Sequence, residues 1–132
     1  MSNIIMSNII MSNILHGDLN KLTLENNNYR KVISTTKKQQ LVLMSLGIKE
    51  EIGMEIHKTI DQFIRIEKGT AMAIIGRDKD IKKYKLTKEH FITIPANTYH
   101  NIINIGRGDL KLYSVYSLPH HKPGTIQKNK PI

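Results

Sequence analysis

The chain has 132 residues, neither cysteine nor tryptophan, and a formal net charge of +9. That length supports one domain, and the absence of cysteine excludes disulfides, thiolate zinc sites and cysteine nucleophiles. No apolar run reaches the roughly 20 residues of a membrane span. The scattered lysines and few aromatic residues argue against nucleic-acid binding. We therefore predict a cytoplasmic protein with a solubilising basic surface.

The first 40 residues contain no predicted core element. Residues 1–15 repeat Met-Ser-Asn-Ile-Ile with a period of five, which builds neither a helix face nor a strand face, so this segment is predicted to be disordered. It has no basic region or continuous apolar stretch, which argues against a signal peptide. Residues 16–40 are polar and are interpreted as a lead-in to the domain.

A series of short apolar runs separated by turn residues follows. The predicted strands are Leu41–Leu46, Met54–His57, Gln62–Glu67, Thr70–Ile75, Ile81–Leu86, Phe91–Ile94, Tyr99–Ile105 and Leu110–Tyr116. No run of ten or more residues has helical periodicity. Closely spaced strands without helices are typical of an antiparallel sandwich or barrel, so residues 41–118 are predicted to form one all-β domain.

The last segment, residues 119–132, is predicted to be an extended basic tail. Three prolines and a glycine interrupt it, and it contains no acidic residue. Its two histidines, His120 and His121, lie in a turn-rich stretch and are expected to be solvated. The tail is long enough to cross the barrel or a neighbouring subunit.

Four polar residues lie within the apolar runs. If Met54–His57 is a strand, Glu55 and His57 share a face, because side chains two residues apart point the same way. By the same spacing Gln62 shares a face with the isoleucines that follow it, and His100 begins another run. We therefore expect Glu55, His57, Gln62 and His100 to converge inside the barrel.

A divalent metal ion is the predicted explanation for this convergence, because each buried polar group left unpaired costs roughly 1–3 kcal/mol. Two imidazoles and a carboxylate suit Fe(II), Mn(II), Ni(II) or Zn(II). Gln62 contributes either a weak amide ligand or a group that orients water or His57. The alternative is a metal-free cluster in which the same four side chains, Glu55, His57, Gln62 and His100, hydrogen-bond one another.

The spacing of these residues resembles the two motifs of the cupin superfamily. Glu55-x-His57, four residues, Gln62, six residues and Gly69 match the first motif, and the stretch from Pro95 to Asn104 matches the second. Residues 41–130 are similar to small cupins described as mannose-6-phosphate isomerase-like. The chain differs from the usual motifs at the following positions: Glu55 replaces a histidine, Gln62 a glutamate, and Glu89 and Asn97 two glycines.

The resemblance implies a double-stranded β-helix, that is, a small jelly-roll-like barrel, which commonly forms homodimers. Exchanging one imidazole and one carboxylate for Glu55 and Gln62 leaves the charge of the implied metal site unchanged. The implied function is Lewis-acid assisted isomerase or epimerase chemistry on a small polar, sugar-like molecule, with Glu55 or Gln62 assisting proton transfer or orienting the substrate. A non-catalytic ligand-binding module and a non-haem metal oxygenase (dioxygenase) are the alternatives.

Overall fold

The computed structural model describes residues 14–132, so the predicted disorder of the N-terminal repeat concerns mainly residues outside the described part. One helix, α1 (Leu19–Glu25), begins after Asp18, whose side chain accepts a hydrogen bond from the backbone N–H of Lys21 at 3.0 Å. Seven residues form only two turns, too few for a recognisable helical period. No helix in the described chain has the length and hydropathy needed to cross a membrane.

Nine strands follow the helix. They are β1 (Arg30–Thr35), β2 (Gln39–Leu46), β3 (Asp61–Lys68), β4 (Ala71–Ile75), β5 (Lys82–Leu86), β6 (Phe91–Ile94), β7 (His100–Asn104), β8 (Leu110–Ser117) and β9 (Ile126–Gln127). The segment expected to be only a polar lead-in therefore contains α1 and β1. That expectation was incomplete because β1 starts with two charged residues, which hide its apolar middle in a sequence pattern.

The strands form two antiparallel sheets. The larger has the order β6-β3-β8-β2-β1-β9 and the smaller has the order β5-β4-β7. The apolar inner faces of both sheets meet in one core of buried side chains. This architecture confirms the predicted all-β, jelly-roll-like barrel.

Strand alternation decides which side chains enter the interior. On β3, Gln62, Ile64 and Ile66 are buried, as the spacing predicts. Register then aligns these residues across the sheet, because Gln62 pairs with Tyr116 of β8, and Tyr116 pairs with Gln40 of β2. Gln40, Tyr116 and Gln62 therefore form one inward-facing row across three strands.

The predicted strand Met54–His57 is wrong. Within this stretch only Glu55 makes a β-bridge, to His100, and the remainder is irregular. A four-residue apolar run is too short for its period to distinguish a strand from a bridged loop. Glu55 and His57 therefore do not owe their positions to alternation along a strand.

Candidate metal centre

Three of the four predicted ligands form one compact cluster. A carboxylate oxygen of Glu55 lies 3.3 Å from Nε2 of His57 and 3.5 Å from Nε2 of His100. The ligand atoms of the three residues all lie within 4.8 Å of one another. The two histidine side chains are 5% and 3% exposed, whereas that of Glu55 is 31% exposed, so the cluster can be reached from the Glu55 side.

Backbone hydrogen bonds between the two motif segments hold this cluster. Glu55 and His100 exchange two N–H···O bonds of 2.9 Å, which brings the first motif against the start of β7. The backbone N–H of Asn97 donates to the carbonyl of His57 at 2.7 Å. Asn97 has φ +63°, in the left-handed region that asparagine tolerates better than most residues, so it can replace the usual glycine here.

The tautomer of His100 determines what its Nε2 can do. Its Nδ1 lies 2.9 Å from the carbonyl oxygen of Thr98, which only accepts, so Nδ1 must carry a proton. In a neutral ring Nε2 is then an acceptor, and it faces the acceptor oxygens of Glu55. Two acceptors at this distance are unfavourable unless a cation lies between them or the imidazole is protonated.

The carboxyl group of Glu55 is held in its charged form. Burial alone would raise its pKa, but the nitrogens of His100 and His57, through close contact and charge, lower the pKa well below the ordinary value. That lowering belongs to the metal-free state in which the imidazoles are protonated, the second of the two ways in which His100 Nε2 and the Glu55 carboxylate can lie this close.

Gln62 carries the fourth predicted donor atom. Its Nε2 donates to the hydroxyl of Ser114 at 3.1 Å, which leaves Oε1 buried and without a hydrogen-bond partner among residues 14–132. Gln62 shares its row with Tyr116, whose ring centre lies 5.7 Å from that of His57. Gln62 is therefore buried in the same row as Tyr116, with an acceptor oxygen that has no partner in the described chain.

These donor atoms fit a divalent cation. In the described chain, Nε2 of His57, Nε2 of His100 and Oε1 of Gln62 are all buried and have no hydrogen-bond partner. Leaving three such buried polar atoms unpaired is costly in a metal-free cluster, and imidazole, carboxylate and amide oxygen are all recognised metal ligands. Glu55, His57 and His100 would hold the ion, with Gln62 as a further ligand or an orienting group.

Of the two tail histidines that were expected to be solvated, His120 is exposed, as expected, whereas His121 is only partly exposed. The ring centre of His120 lies 4.3 Å from that of His57 and 5.5 Å from that of Tyr116. The ring of His121 lies 4.6 Å from His120, and its Nε2 is 3.4 Å from the hydroxyl of Tyr116. The C-terminal segment therefore adds two imidazoles beside the cluster.

Gln40, which the sequence analysis did not single out, fixes this segment. Its side chain is fully buried, its Oε1 accepts from the backbone N–H groups of His120 and His121 at 3.1 and 2.8 Å, and its Nε2 donates to the carbonyl of His121 at 2.7 Å. A signal did exist, because Gln40 shares the even spacing of Val42 and Met44 and is the polar member of that inward-facing set.

Burial favours the uncharged forms of three side chains beside the cluster, His120, His121 and Tyr116. It lowers the pKa of His121 to about 3, aided by the nearby charge of Arg30, and it lowers the pKa of His120, aided by His57. Burial also raises the pKa of Tyr116, and the charge of Glu55 acts in the same direction. The lining beside the cluster therefore consists of neutral hydrogen-bonding groups at neutral pH.

Comparisons with known proteins agree with this architecture. The cupin domain family model (Cupin_2) matches residues 42–116. The uncharacterised protein YrkC of Bacillus subtilis is 44% identical over 115 residues, which is 86% of this chain and 62% of YrkC, so the chain spans less than two thirds of that relative. An uncharacterised protein of Acanthamoeba polyphaga mimivirus is 54% identical over 110 residues, which is 83% of this chain and 68% of the viral protein.

A solved structure extends the likeness to the whole fold. The crystal structure of BH2720 from Bacillus halodurans superposes with a TM-score of 0.87 at 35% sequence identity. The match covers 90% of this chain and 92% of the other. The matched family model, the barrel and the position of the candidate centre at the two motif segments lead to one conclusion: the chain belongs to the cupin domain family.

Proposed function

We propose that this cupin binds a divalent ion, Fe(II), Mn(II), Ni(II) or Zn(II), through Glu55, His57 and His100 with help from Gln62, and acts on a small polar molecule. The ion would supply Lewis-acid polarisation of a carbonyl or hydroxyl group. Isomerase or epimerase chemistry on a sugar-like substrate, as in the mannose-6-phosphate isomerase-like subgroup, is the form of this proposal that the motif resemblance supports.

One observation carries the metal proposal. The protonated Nδ1 of His100 directs the acceptor Nε2 towards the ionised carboxylate of Glu55, 3.5 Å away. A cation between these groups removes the repulsion and also gives the buried Nε2 of His57 a partner. The protein-derived groups would then orient a substrate: Gln62 would accept a hydrogen bond through Oε1, and Glu55, whose side chain is 31% exposed, would meet the substrate from the solvent side.

Elemental analysis of protein purified without added metal tests this proposal directly. We expect close to one equivalent of a first-row divalent ion in the wild type and a large reduction in His57→Ala. His90→Ala is the matched control, because His90 lies exposed in a turn away from the cluster. Retention of metal by His57→Ala, or wild-type protein that takes up no divalent ion on titration, would refute the proposed centre.

A non-catalytic ligand-binding module is the second candidate, and the electrostatics of the site support it. Glu55 is the only carboxylate in the described cluster, and its lowered pKa makes it a weak base. Turnover therefore needs another proton acceptor, which a binding module does not. A metal-loaded protein that binds polar ligands without converting any sugar, keto acid or oxygen-dependent substrate would favour this second candidate.

Three further features remain proposals. Two imidazoles and one carboxylate also suit a non-haem oxygenase, and oxygen consumption by the iron-loaded protein would detect that activity.

A homodimer is supported by the exposed edge strand β6, where Phe91 is 60% exposed and stacks on Phe63. Light scattering of the wild type and of Phe91→Ser tests that interface. A cytoplasmic location, which fits the absence of cysteine, can be tested by fractionation.

A further inference from the structure

The segment that carries Glu55 lies antiparallel to β7 and contains one extra residue. At one end Glu51 forms a bridge with Ile103, and at the other end Glu55 forms a bridge with His100. The segment therefore advances four positions, from 51 to 55, while β7 advances three, from 103 to 100. An antiparallel pairing in which two residues oppose one is a β-bulge.

The bulge determines which side chain of the segment faces the candidate centre. Without the extra residue, Met54 would lie opposite His100, and directly opposite residues of an antiparallel pair point to the same side. Met54 is instead 46% exposed, and Glu55 exchanges two backbone hydrogen bonds of 2.9 Å with His100. The extra residue thus places a carboxylate where regular pairing would place a thioether.

Asn101 holds this bulge from the opposite strand. It follows His100 on β7, so its side chain points to the other face of the sheet, where the residue is 6% exposed. Its Oδ1 accepts the backbone N–H of Gly53 at 2.8 Å, and its Nδ2 donates to Oε1 of Glu51 at 2.9 Å. Asn101 therefore ties the start of the bulge to its centre.

Gly53 shows why a side chain is needed at this point. Its φ of +106° lies in the region that favours glycine, and its N–H reaches a side-chain oxygen of β7. A backbone N–H that leaves the ladder must find another acceptor or remain unpaired, which is costly. The amide of Asn101 supplies that acceptor and is itself oriented by Glu51.

We propose that Asn101 is a positioning residue, which fixes the bulge at Gly53 and thereby directs the carboxylate of Glu55 into the candidate metal centre. This inference rests on the proposed metal site. Asn101 is not among the grouped ligands in the described chain, so it acts through Glu55. Groups that orient metal ligands in this way contribute roughly 10- to 100-fold to metal affinity.

The first experiment exchanges the partners of the Asn101 amide. Asn101→Asp still accepts from Gly53 but places a second carboxylate against Glu51, so we expect calorimetry with Zn(II) at pH 7 to show an affinity loss of roughly tenfold or more. Adding Glu51→Gln supplies a donor to the new carboxylate and should restore an affinity close to that of the wild type. Failure of this second substitution to restore binding would overturn the inference.

The second experiment asks whether Asn101 acts through Glu55. Asn101→Leu has a similar volume and should weaken Zn(II) binding roughly 10- to 100-fold in the wild type. It should have little further effect in Glu55→Gln, because the carboxylate that it positions is already absent. Equal losses in both backgrounds would show that Asn101 does not act through Glu55. If Glu55→Gln binds Zn(II) too weakly for titration, the partner exchange decides.

Hydrogen exchange gives a measurement that does not depend on metal. In the metal-free protein, the amide of Gly53 should exchange faster in Asn101→Leu than in the wild type, because its acceptor is gone. Unchanged exchange would contradict the proposed contact and the inference built on it.

Two controls separate positioning from loss of stability. Asn129→Ala changes an exposed asparagine of the C-terminal segment, and Leu110→Ala destabilises the apolar core away from the bulge. Both should bind Zn(II) like the wild type. If Leu110→Ala loses as much affinity as Asn101→Leu, reduced stability explains the effect and the inference is wrong.

The outcomes distinguish this inference from the proposed function. Wild-type protein that binds no Zn(II) refutes the metal centre and the positioning role with it. If the wild type binds Zn(II) and Asn101→Leu binds it as tightly as Asn129→Ala, the role of Asn101 is refuted and the metal centre stands.

Discussion

The two ends of the barrel interior differ although the same strands build both. At one end the inward-facing pairs are apolar, such as Leu46 with Leu110 and Ile66 with Leu112, and all four side chains are fully buried. At the other end the same strands present Gln40, Tyr116 and Gln62 in one row. Strand alternation thus determines only whether a side chain points inwards. Whether the inward-facing side chains are apolar or polar depends on their position along the strand.

The polar end is tolerated because its groups find specific partners. Gln40 is satisfied by the backbone of residues 120 and 121, and the amide nitrogen of Gln62 is satisfied by Ser114. Among the buried polar atoms without a hydrogen-bond partner in the described chain, Nε2 of His57, Nε2 of His100 and Oε1 of Gln62 lie at this end. The apolar end therefore accounts for stability through burial, and the residual polar atoms at the other end identify the site.

Removing one imidazole at the polar end should have the largest effect. We expect His100→Ala to weaken divalent-metal affinity on the order of a hundredfold or more, because a ligand is lost outright and even supporting residues contribute roughly 10- to 100-fold in metal sites. Isothermal titration with Zn(II) and Mn(II) measures this change. His90→Ala should bind like the wild type, and equal affinities of the two variants would break the assignment of the polar end.

Gln62→Glu should change divalent-metal affinity at the polar end by a smaller amount than His100→Ala does. Whether the substitution is favourable should depend on whether an ion is bound. With an ion bound, a second carboxylate should raise divalent-metal affinity by roughly tenfold, since an anionic oxygen is the stronger ligand. Titration of the two proteins at pH 7 measures the difference. Gln39→Glu, the same substitution at an exposed position of β2, is the control and should leave affinity unchanged.

Without metal, Gln62→Glu places two carboxyl groups in one buried cluster. The folded-state pKa of residue 62 should then lie above its unfolded value of about 4.3, because burial and the charge of Glu55 both oppose ionisation. Stability is thus fully present below about pH 4.3 and is lost as pH rises towards the folded pKa. Thermal unfolding in EDTA should show a lower melting temperature at pH 8 than at pH 5. If melting is equally pH-dependent for Gln39→Glu, the cluster is not the cause.

Much of the difference between the apolar and the polar end could be predicted from the sequence. Strand alternation correctly predicted that Gln62 faces the interior, and the motif spacing correctly predicted that His57 and His100 lie close together. Glu55 reached the predicted place for a different reason, since a bridge to His100 positions it and not a strand. Such a bridge depends on a loop meeting a distant strand, which a local period does not record.

The residues that were missed depend on long-range pairing. Arg30 faces inwards only because β1 pairs in register with β2, and its polar flanks gave no apolar period. His120 lies against His57 because Gln40, 80 residues earlier in the chain, accepts its backbone N–H. In both cases the local sequence is typical of a solvated segment, and distant contacts set the position of the side chain: Arg30 becomes partly buried, whereas His120 stays exposed beside His57.

Gln40→Met tests how firmly the polar end holds the tail. The substitution keeps the side-chain volume but removes the hydrogen bonds to the backbone of His120 and His121, so we expect a loss of about 1–3 kcal/mol in the free energy of unfolding. Urea denaturation measures it. Gln39→Met, one residue earlier and exposed, should cost much less, and equal effects would mean that Gln40 does not anchor the segment.

Asn97 gives the smallest expected effect and tests a departure from the usual motif. Its φ of +63° lies in the left-handed region, where a β-carbon costs most residues roughly 1–2 kcal/mol but asparagine less. We therefore expect Asn97→Ala to lower the free energy of unfolding by about 1 kcal/mol and Asn97→Gly to change it by less than that. Urea denaturation of the three proteins measures both differences.

Because Asn97 donates its backbone N–H, and not its side chain, to the carbonyl of His57, Asn97→Gly should also leave metal affinity unchanged. A loss of affinity in Asn97→Gly without a loss of stability would show that the asparagine side chain itself positions His57, and the motif difference would then belong to the site and not to the turn.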